Sequence, residues 1–224
     1  MFDVKLLLNA ITKFTIGLLF VGILLFVPAG SFCYMNGWLF IGLLFLPMLL
    51  LGTVLFIKAP NLLKKRLDVK EKEGTQRGVV ALSALIFTLG FIVAGLDFRF
   101  GLTSVPGIAV IIASVILLLS YALYAEVMRE NTYLSRTVKV EKNQKVVDRG
   151  LYSVVRHPMY AVTILLFLSI PIVLGSWWSF AVFLFYVPII AVRTLDEEKL
   201  LENELDGYSE YKKRVKYRLL PFIW

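Results

Sequence analysis

Charges are absent from four long stretches of the chain, residues 14–57, 79–96, 100–125 and 158–192, and are crowded into the segments between them. A helix needs about 20 apolar residues to cross roughly 30 Å of hydrocarbon. The first stretch is long enough for two crossings, and Pro28-Ala29-Gly30-Ser31 interrupts it with turn chemistry. The last would be about 52 Å long as one helix at 1.5 Å per residue, too long for one crossing. Pro171 and Gly175 lie near its middle and divide it into helices 158–174 and 176–192, packed as a hairpin. The pattern therefore predicts hydrophobic helices near 11–28, 37–57, 79–96, 104–125, 158–174 and 176–192. This is an all-α integral membrane protein with five to six spans, because each half of the hairpin is short for a full crossing.

Composition agrees: 58% of the 224 residues are hydrophobic, against about 45–50% in soluble domains. The basic residues set the orientation. Lys5 and Lys13 precede the first helix, seven Lys and Arg fall in 58–78, seven in 126–157 and seven from Arg193 onward. Only Arg99 lies in a loop expected outside. Excess Lys and Arg mark the cytoplasmic side, which puts both termini and both long loops there. The net charge of +8 then finds its counter-surface in anionic lipid headgroups, with no need for nucleic acid. Lys5 and Lys13 lead into an apolar stretch, but no small-x-small cleavage site follows, so the first segment is expected to be a retained span.

The single cysteine, Cys33, excludes an internal disulfide and a thiolate metal cluster. The single histidine, His157, excludes H-E-x-x-H, and no phosphate-cradling glycine motif is present. No metal site is expected. There is no internal repeat of the kind that builds many transporters, and the predicted helix centres hold no ionisable residue. The chain divides into a scaffold of four helices, 1–125, and a region 126–224 in which polar segments flank one hairpin; chemistry is expected in the second. In the 58–78 loop, Leu62, Leu63 and Leu67 alternate with bases. That suits either a short helix lying on the cytoplasmic headgroups or a solvated linker.

Three clusters in the second region carry chemistry. Gly150-Leu151-Tyr152-Ser153-Val154-Val155-Arg156-His157-Pro158-Met159-Tyr160 sits where a charged loop enters the membrane. Pro158 suits the first position of a helix, so His157 stands at the cap and the open N–H groups of the next turn attract anionic groups. Tyr152 and Tyr160 flank it with aromatic faces. Arg156 and the tyrosines equally suit plain interfacial anchoring. At the far end of the hairpin, Arg193 and Glu197 are four apart and share a helix face, as an ion pair or as two grips on a ligand. The hairpin returns that face to the neighbourhood of His157. The tail, 207–221, mixes tyrosines and bases, which suits docking on lipid or covering a site.

The ordered set G-x-Y-x-x-x-R-H-P-x-Y, hairpin, R-x-x-x-E-E, G-Y-x-x-Y-K-K-R-V and a closing L-P resembles the isoprenylcysteine carboxyl methyltransferase family over residues 131–224. The resemblance implies an integral membrane enzyme that moves a methyl group from S-adenosylmethionine, taken from the cytosol, to a lipophilic acceptor taken from the bilayer. It implies cofactor contacts at Gln144, Lys145, Val146, Val147, Tyr152, His157, Pro158, Met159, Tyr160 and Glu197. Arg193 matches the family's substrate-side arginine, and Arg193, Glu197 and His157 would carry the chemistry. Thr137 stands where the family has a contacting glutamine, a departure from the pattern. The acceptor would be an isoprenylcysteine-like or other lipid carboxylate, with no obligate protein partner. Related patterns keep open a phospholipid N-methyltransferase, a sterol-type reductase using a nicotinamide cofactor, and a non-catalytic transporter or assembly protein. The membrane would be the cell membrane of a prokaryote or the endoplasmic reticulum of a eukaryote.

Overall fold

The structure, a computed structural model, describes residues 3–67, 74–134, 140 and 142–224. All regular elements among the described residues are helical. In hydrocarbon a backbone must satisfy its hydrogen bonds within its own segment, so charge-free runs become helices. Four single helices are long enough to span: α1 (Val4–Ala29), α2 (Met35–Lys58), α4 (Gly74–Phe100) and α5 (Gly107–Glu130). A fifth span is built from two helices, α7 (Trp177–Leu184) and α8 (Tyr186–Glu204). Five apolar segments of crossing length make this a multi-pass integral membrane protein. The remaining helices are short: α3 (Pro60–Leu67), α6 (Pro158–Val173) and α9 (Tyr208–Arg214).

The final hairpin keeps its expected short first arm and departs from the sequence expectation in its second. Its first arm, α6, has 16 residues, about 24 Å at 1.5 Å per residue, less than the hydrocarbon thickness. Its second arm does not stop at residue 192 but runs to Glu204, with a break at Phe185. Pro188 explains the break: it has no N–H to give to the Leu184 carbonyl, and its ring crowds that carbonyl. Past Val192, the leucines, glutamates and lysine of the run favour helix, so α8 continues beyond the apolar segment and carries Arg193, Glu197 and Glu198 with it.

The ends of the helices expected to face outside are tied by polar contacts. Asp97, only 2% exposed, accepts a hydrogen bond from the Thr103 N–H at 2.7 Å and from the hydroxyls of Thr103 and Ser176. Ser176 in turn caps α7 by accepting the Ser179 N–H at 3.0 Å, the role its short hydroxyl suits at a helix start. The Tyr34 hydroxyl donates to the Leu174 carbonyl at 2.6 Å. The last turn of α4 and the loops at 30–34, 101–106 and 174–176 thus lie together at one end. Arg99, expected in a loop, belongs to the last turn of α4.

Between the two ends runs one apolar core of Leu25, Phe40, Phe91, Leu117, Ile170 and Phe183, drawn from α1, α2, α4, α5, α6 and α7. Leu8, Ile16, Leu19, Ile111 and Leu119 stay exposed, the face a lipid solvent accepts. At the basic end, residues 60–67 form the short helix α3 and not a linker. Leu62 and Leu63 are buried, and Leu62 packs with Val127, Met128, Tyr152 and Met159. The helix thus turns its apolar side to the protein, against residues of α5 and α6.

Glycine permits a close approach of α4 to α1. A Cβ on Gly95 would come within 2.6 Å of the Leu25 carbonyl oxygen and 3.0 Å of the Ala29 nitrogen, both backbone atoms of α1. Gly95→Leu is expected to destabilise the purified protein by about 1–3 kcal/mol, the usual cost of overpacking. Gly22→Leu, at a position whose Cβ meets nothing within 4 Å, is expected to leave it unchanged. Thermal unfolding midpoints in detergent compare the two.

Candidate active site

The 150–160 stretch owes its shape to a neighbour on α5. Glu130, the last residue of that helix, accepts the Leu151 N–H at 2.9 Å. Gly150 has φ +58°, and a Cβ there would collide with the Glu130 carboxylate, so only glycine fits. The turn that follows, a short 3-10 turn over Gly150–Ser153, directs Tyr152 inward. Its hydroxyl accepts the Asn131 side-chain N–H at 3.0 Å, and its carbonyl accepts the Tyr211 hydroxyl at 2.7 Å.

The chain then meets the C-terminal tail. The Arg156 N–H donates to the Tyr217 carbonyl and the His157 N–H to the Arg218 carbonyl, both at 2.9 Å. Arg156 is no interfacial anchor. It is 5% exposed; its Nε donates to Glu198 Oε1 at 2.6 Å, and its Nη1 reaches the carbonyls of Val215 at 2.7 Å and Lys216 at 2.8 Å. The other Glu198 oxygen accepts Arg218 Nε at 2.9 Å. His157 Nε2 lies 3.4 Å from Glu198 Oε1 and 3.5 Å from the Tyr208 hydroxyl. Burial, and after it the Glu198 carboxylate, pushes the Tyr208 phenol far above its ordinary pKa. Burial does the same to Tyr211 and Tyr152, so all three keep their hydroxyl protons at neutral pH.

Next to this junction stands a second polar group. Tyr160 stacks beside the His157 ring, with centroids 5.8 Å apart and planes 20° apart. Its hydroxyl donates to Glu197 and accepts Arg193 Nε at 2.9 Å. Arg193 and Glu197 are therefore joined through Tyr160, not simply as an i,i+4 ion pair. One residue earlier, Asp196 Oδ2 is buried and has no hydrogen-bond partner.

Of the residues singled out in the sequence, His157, Tyr160, Arg193 and Glu197 come together. Pro158 holds the first position of α6, and the Met159 side chain is packed with Tyr152 and Val162 rather than displayed beside them. The 144–147 loop closes the flank: Val146 packs against the cluster of Leu205, Tyr208, Tyr211 and Val215, and Val147 against that of Tyr152 and Met159. Gln144 is half-buried and Lys145 exposed. Thr137 lies outside the described residues. The sequence reasoning overlooked Glu130, Glu198, Tyr208 and Arg218 as site builders. The second carboxylate of Glu197-Glu198 was the available signal, because adjacent helix positions point about 100° apart and the two cannot serve one face.

Residues 102–206 match the family model for phospholipid methyltransferase, the family that also takes in membrane methyltransferases of the isoprenylcysteine type. The matched segment starts just before α5 and ends just after α8, enclosing Tyr160, Arg193 and Glu197 together with Arg156, His157 and Glu198, but not Tyr208 or Arg218. The match indicates a membrane methyltransferase. No curated protein matches the chain.

Removing one partner of a buried ion pair costs about 3–5 kcal/mol, because the other is left uncompensated. Glu198→Ala is expected to destabilise the purified protein by that order, read as a lower thermal midpoint, since it strands both Arg156 and His157. Arg156→Met combined with Glu198→Leu is expected to cost clearly less than the two single changes added together. Additive losses would show that the pair is not coupled.

Proposed function

We propose that the protein transfers a methyl group from S-adenosylmethionine to the carboxylate of a lipid held at the membrane surface. The observation that carries this reading is the Arg193–Tyr160–Glu197 relay, which places a cation and a carboxylate on either side of one phenol. The residues suit the cofactor. Glu197 and the unpartnered Asp196 oxygen are acceptors for a cationic ligand, and the stacked faces of His157 and Tyr160 suit a flat ring. Glu197 would hold the cationic part, with His157 and the 144–147 loop beside it.

When bound, S-adenosylmethionine supplies a methyl group on a positively charged sulfur. A carboxylate acceptor needs no base, so the protein's task is alignment and exclusion of water; positioning of this kind is worth about 7–11 kcal/mol. Arg193 would orient the acceptor carboxylate by charge-assisted hydrogen bonds. The basic face around it, with Lys and Arg of α3, α8 and α9, would rest on anionic headgroups.

A second reading, methylation of a phospholipid amine, is favoured by the family match over residues 102–206. An amine acceptor must lose a proton, and Glu197 through Tyr160 would be the group to take it. The two products differ chemically: a methyl ester releases methanol in mild alkali and an N-methyl group does not.

Calorimetry on the purified protein is expected to show binding of S-adenosylhomocysteine and none of NADPH; the reverse result overturns the methyltransferase reading. Labelled cofactor incubated with lipid extract is expected to give a product whose label is released by alkali. Arg193→Ala is expected to reduce transfer about 10–100-fold, the size of one or two lost hydrogen bonds to a charge, while binding of S-adenosylhomocysteine persists. Undiminished transfer removes Arg193 from the mechanism.

A further inference from the structure

A cavity of about 340 Å³ opens between α4 and α7. Leu96 and Asp97 of α4, Leu102 of the loop that follows, and Trp178, Ala181 and Phe185 line it. Leu102, Trp178 and Phe185 are exposed, so the cavity faces lipid. Trp178 and Arg193 are fifteen positions apart in the last span, about 22 Å at 1.5 Å per residue. The cavity is therefore separate from the Tyr160–Arg193–Glu197 group.

Asp97 is the one charged residue of the lining. Its carboxylate accepts the Thr103 N–H and the hydroxyl protons of Thr103 and Ser176. Each hydroxyl oxygen accepts an N–H in turn, from Trp177 at 3.1 Å and from Ser179 at 3.0 Å. Donors converging from every partner suit a carboxylate that carries its charge. Its hydrogen bonds are met, but its charge is not. Among the described residues, no ion pair reaches Asp97. Arg99, two positions on, lies with its guanidinium carbon 3.5 Å from where a Cβ on Gly30 would stand and 5.6 Å from the Phe100 ring centroid. Glu198, the other buried carboxylate, is met by two arginines. A buried charge without a counter-charge is costly, and a bound cation would offset that cost.

The walls select the kind of cation. A hard metal ion takes several oxygen ligands, and apart from Asp97 the lining side chains are hydrocarbon and aromatic. Aromatic rings such as those of Trp178 and Phe185 attract an ammonium, and the leucines suit a hydrocarbon chain. At about 30 Å³ per water, the cavity has the space of about eleven waters. That is room for an ammonium head and the first part of one chain, with the rest running into lipid. A zwitterionic head would bring its own anion towards the same carboxylate. We propose that this cavity binds a single-chain lipophilic ammonium, with its cation at Asp97 and its hydrocarbon between α4 and α7. The site goes beyond the methyltransferase reading and does not depend on it.

The test is photolabelling of the full chain in non-ionic detergent with hexadecylamine carrying a diazirine in its chain, followed by peptide mapping. The alcohol and the carboxylic acid of the same chain are run beside it. The amine is expected to label the peptides holding 93–102 and 178–185 about tenfold more than either, the scale of a lost hydrogen bond to a charged group. Excess unlabelled hexadecylamine is expected to suppress that label. Asp97→Asn is expected to abolish the preference for the amine. Ala181→Trp, at an exposed position of the lining, is expected to reduce the label by filling the cavity while Asp97 stays in place. The thermal midpoint of each variant checks its fold, and the map of the unmodified protein decides even where a variant does not fold. Equal labelling by amine, alcohol and acid marks ordinary lipid contact and overturns the proposal. So does amine label placed only on other surfaces. Suppression of the label by millimolar calcium assigns the carboxylate to a metal and overturns it as well.

Discussion

The buried Glu198 carboxylate holds the basic end of the molecule together. Its two oxygens reach Arg156 at the start of α6 and Arg218 in the tail, with His157 beside the first. Three segments far apart in the chain meet at one side chain. A carboxylate taken from water without partners is very costly, so the fold is committed to bringing both arginines in. Arg156 meets the same demand by reaching the carbonyls of Val215 and Lys216. Position and protection of the neighbouring Tyr160–Glu197–Arg193 group follow from that commitment.

The two ends of the bundle solve the same problem by different means. At the end expected to face outside, Asp97 is buried against hydroxyls and an N–H, all contributed by short loops and caps. At the basic end, charge meets charge, and the partners come from long segments that leave the membrane. A network of hydroxyls fixes helix ends to one another. A network of paired charges also stands beside a second polar group, in which Tyr160 joins Arg193 to Glu197.

Some of this architecture was legible in the residues. Charge-free runs gave the helices, and the proline and glycine of the last run gave its hairpin. The break at Phe185 was not expected, because Pro188 acts on a carbonyl four residues earlier and the apolar pattern runs straight through it. The docking of α3 was missed for a different reason. Leu62 and Leu63 look alike whether they face headgroups or protein, and only the seam between α5 and α6 distinguishes the two. In the site, His157, Tyr160, Arg193 and Glu197 were picked out by their order along the chain. Arg156 was left open between anchoring and function, since a basic residue beside a membrane segment is ordinary until its burial is known.

The sequence by itself determined that the protein is a helical membrane protein with its polar chemistry in the second half. Hydrocarbon imposes that rule locally: a segment either carries charge or crosses, and each stretch of the chain answers separately. The tertiary structure alone decided which of two adjacent glutamates is buried, which arginine locks it, and that a phenol stands between Arg193 and Glu197. Those choices depend on how α6, α8 and the tail pack across 20 to 42 residues of separation. Pairing of buried charges at that distance follows from packing, and no local pattern records it.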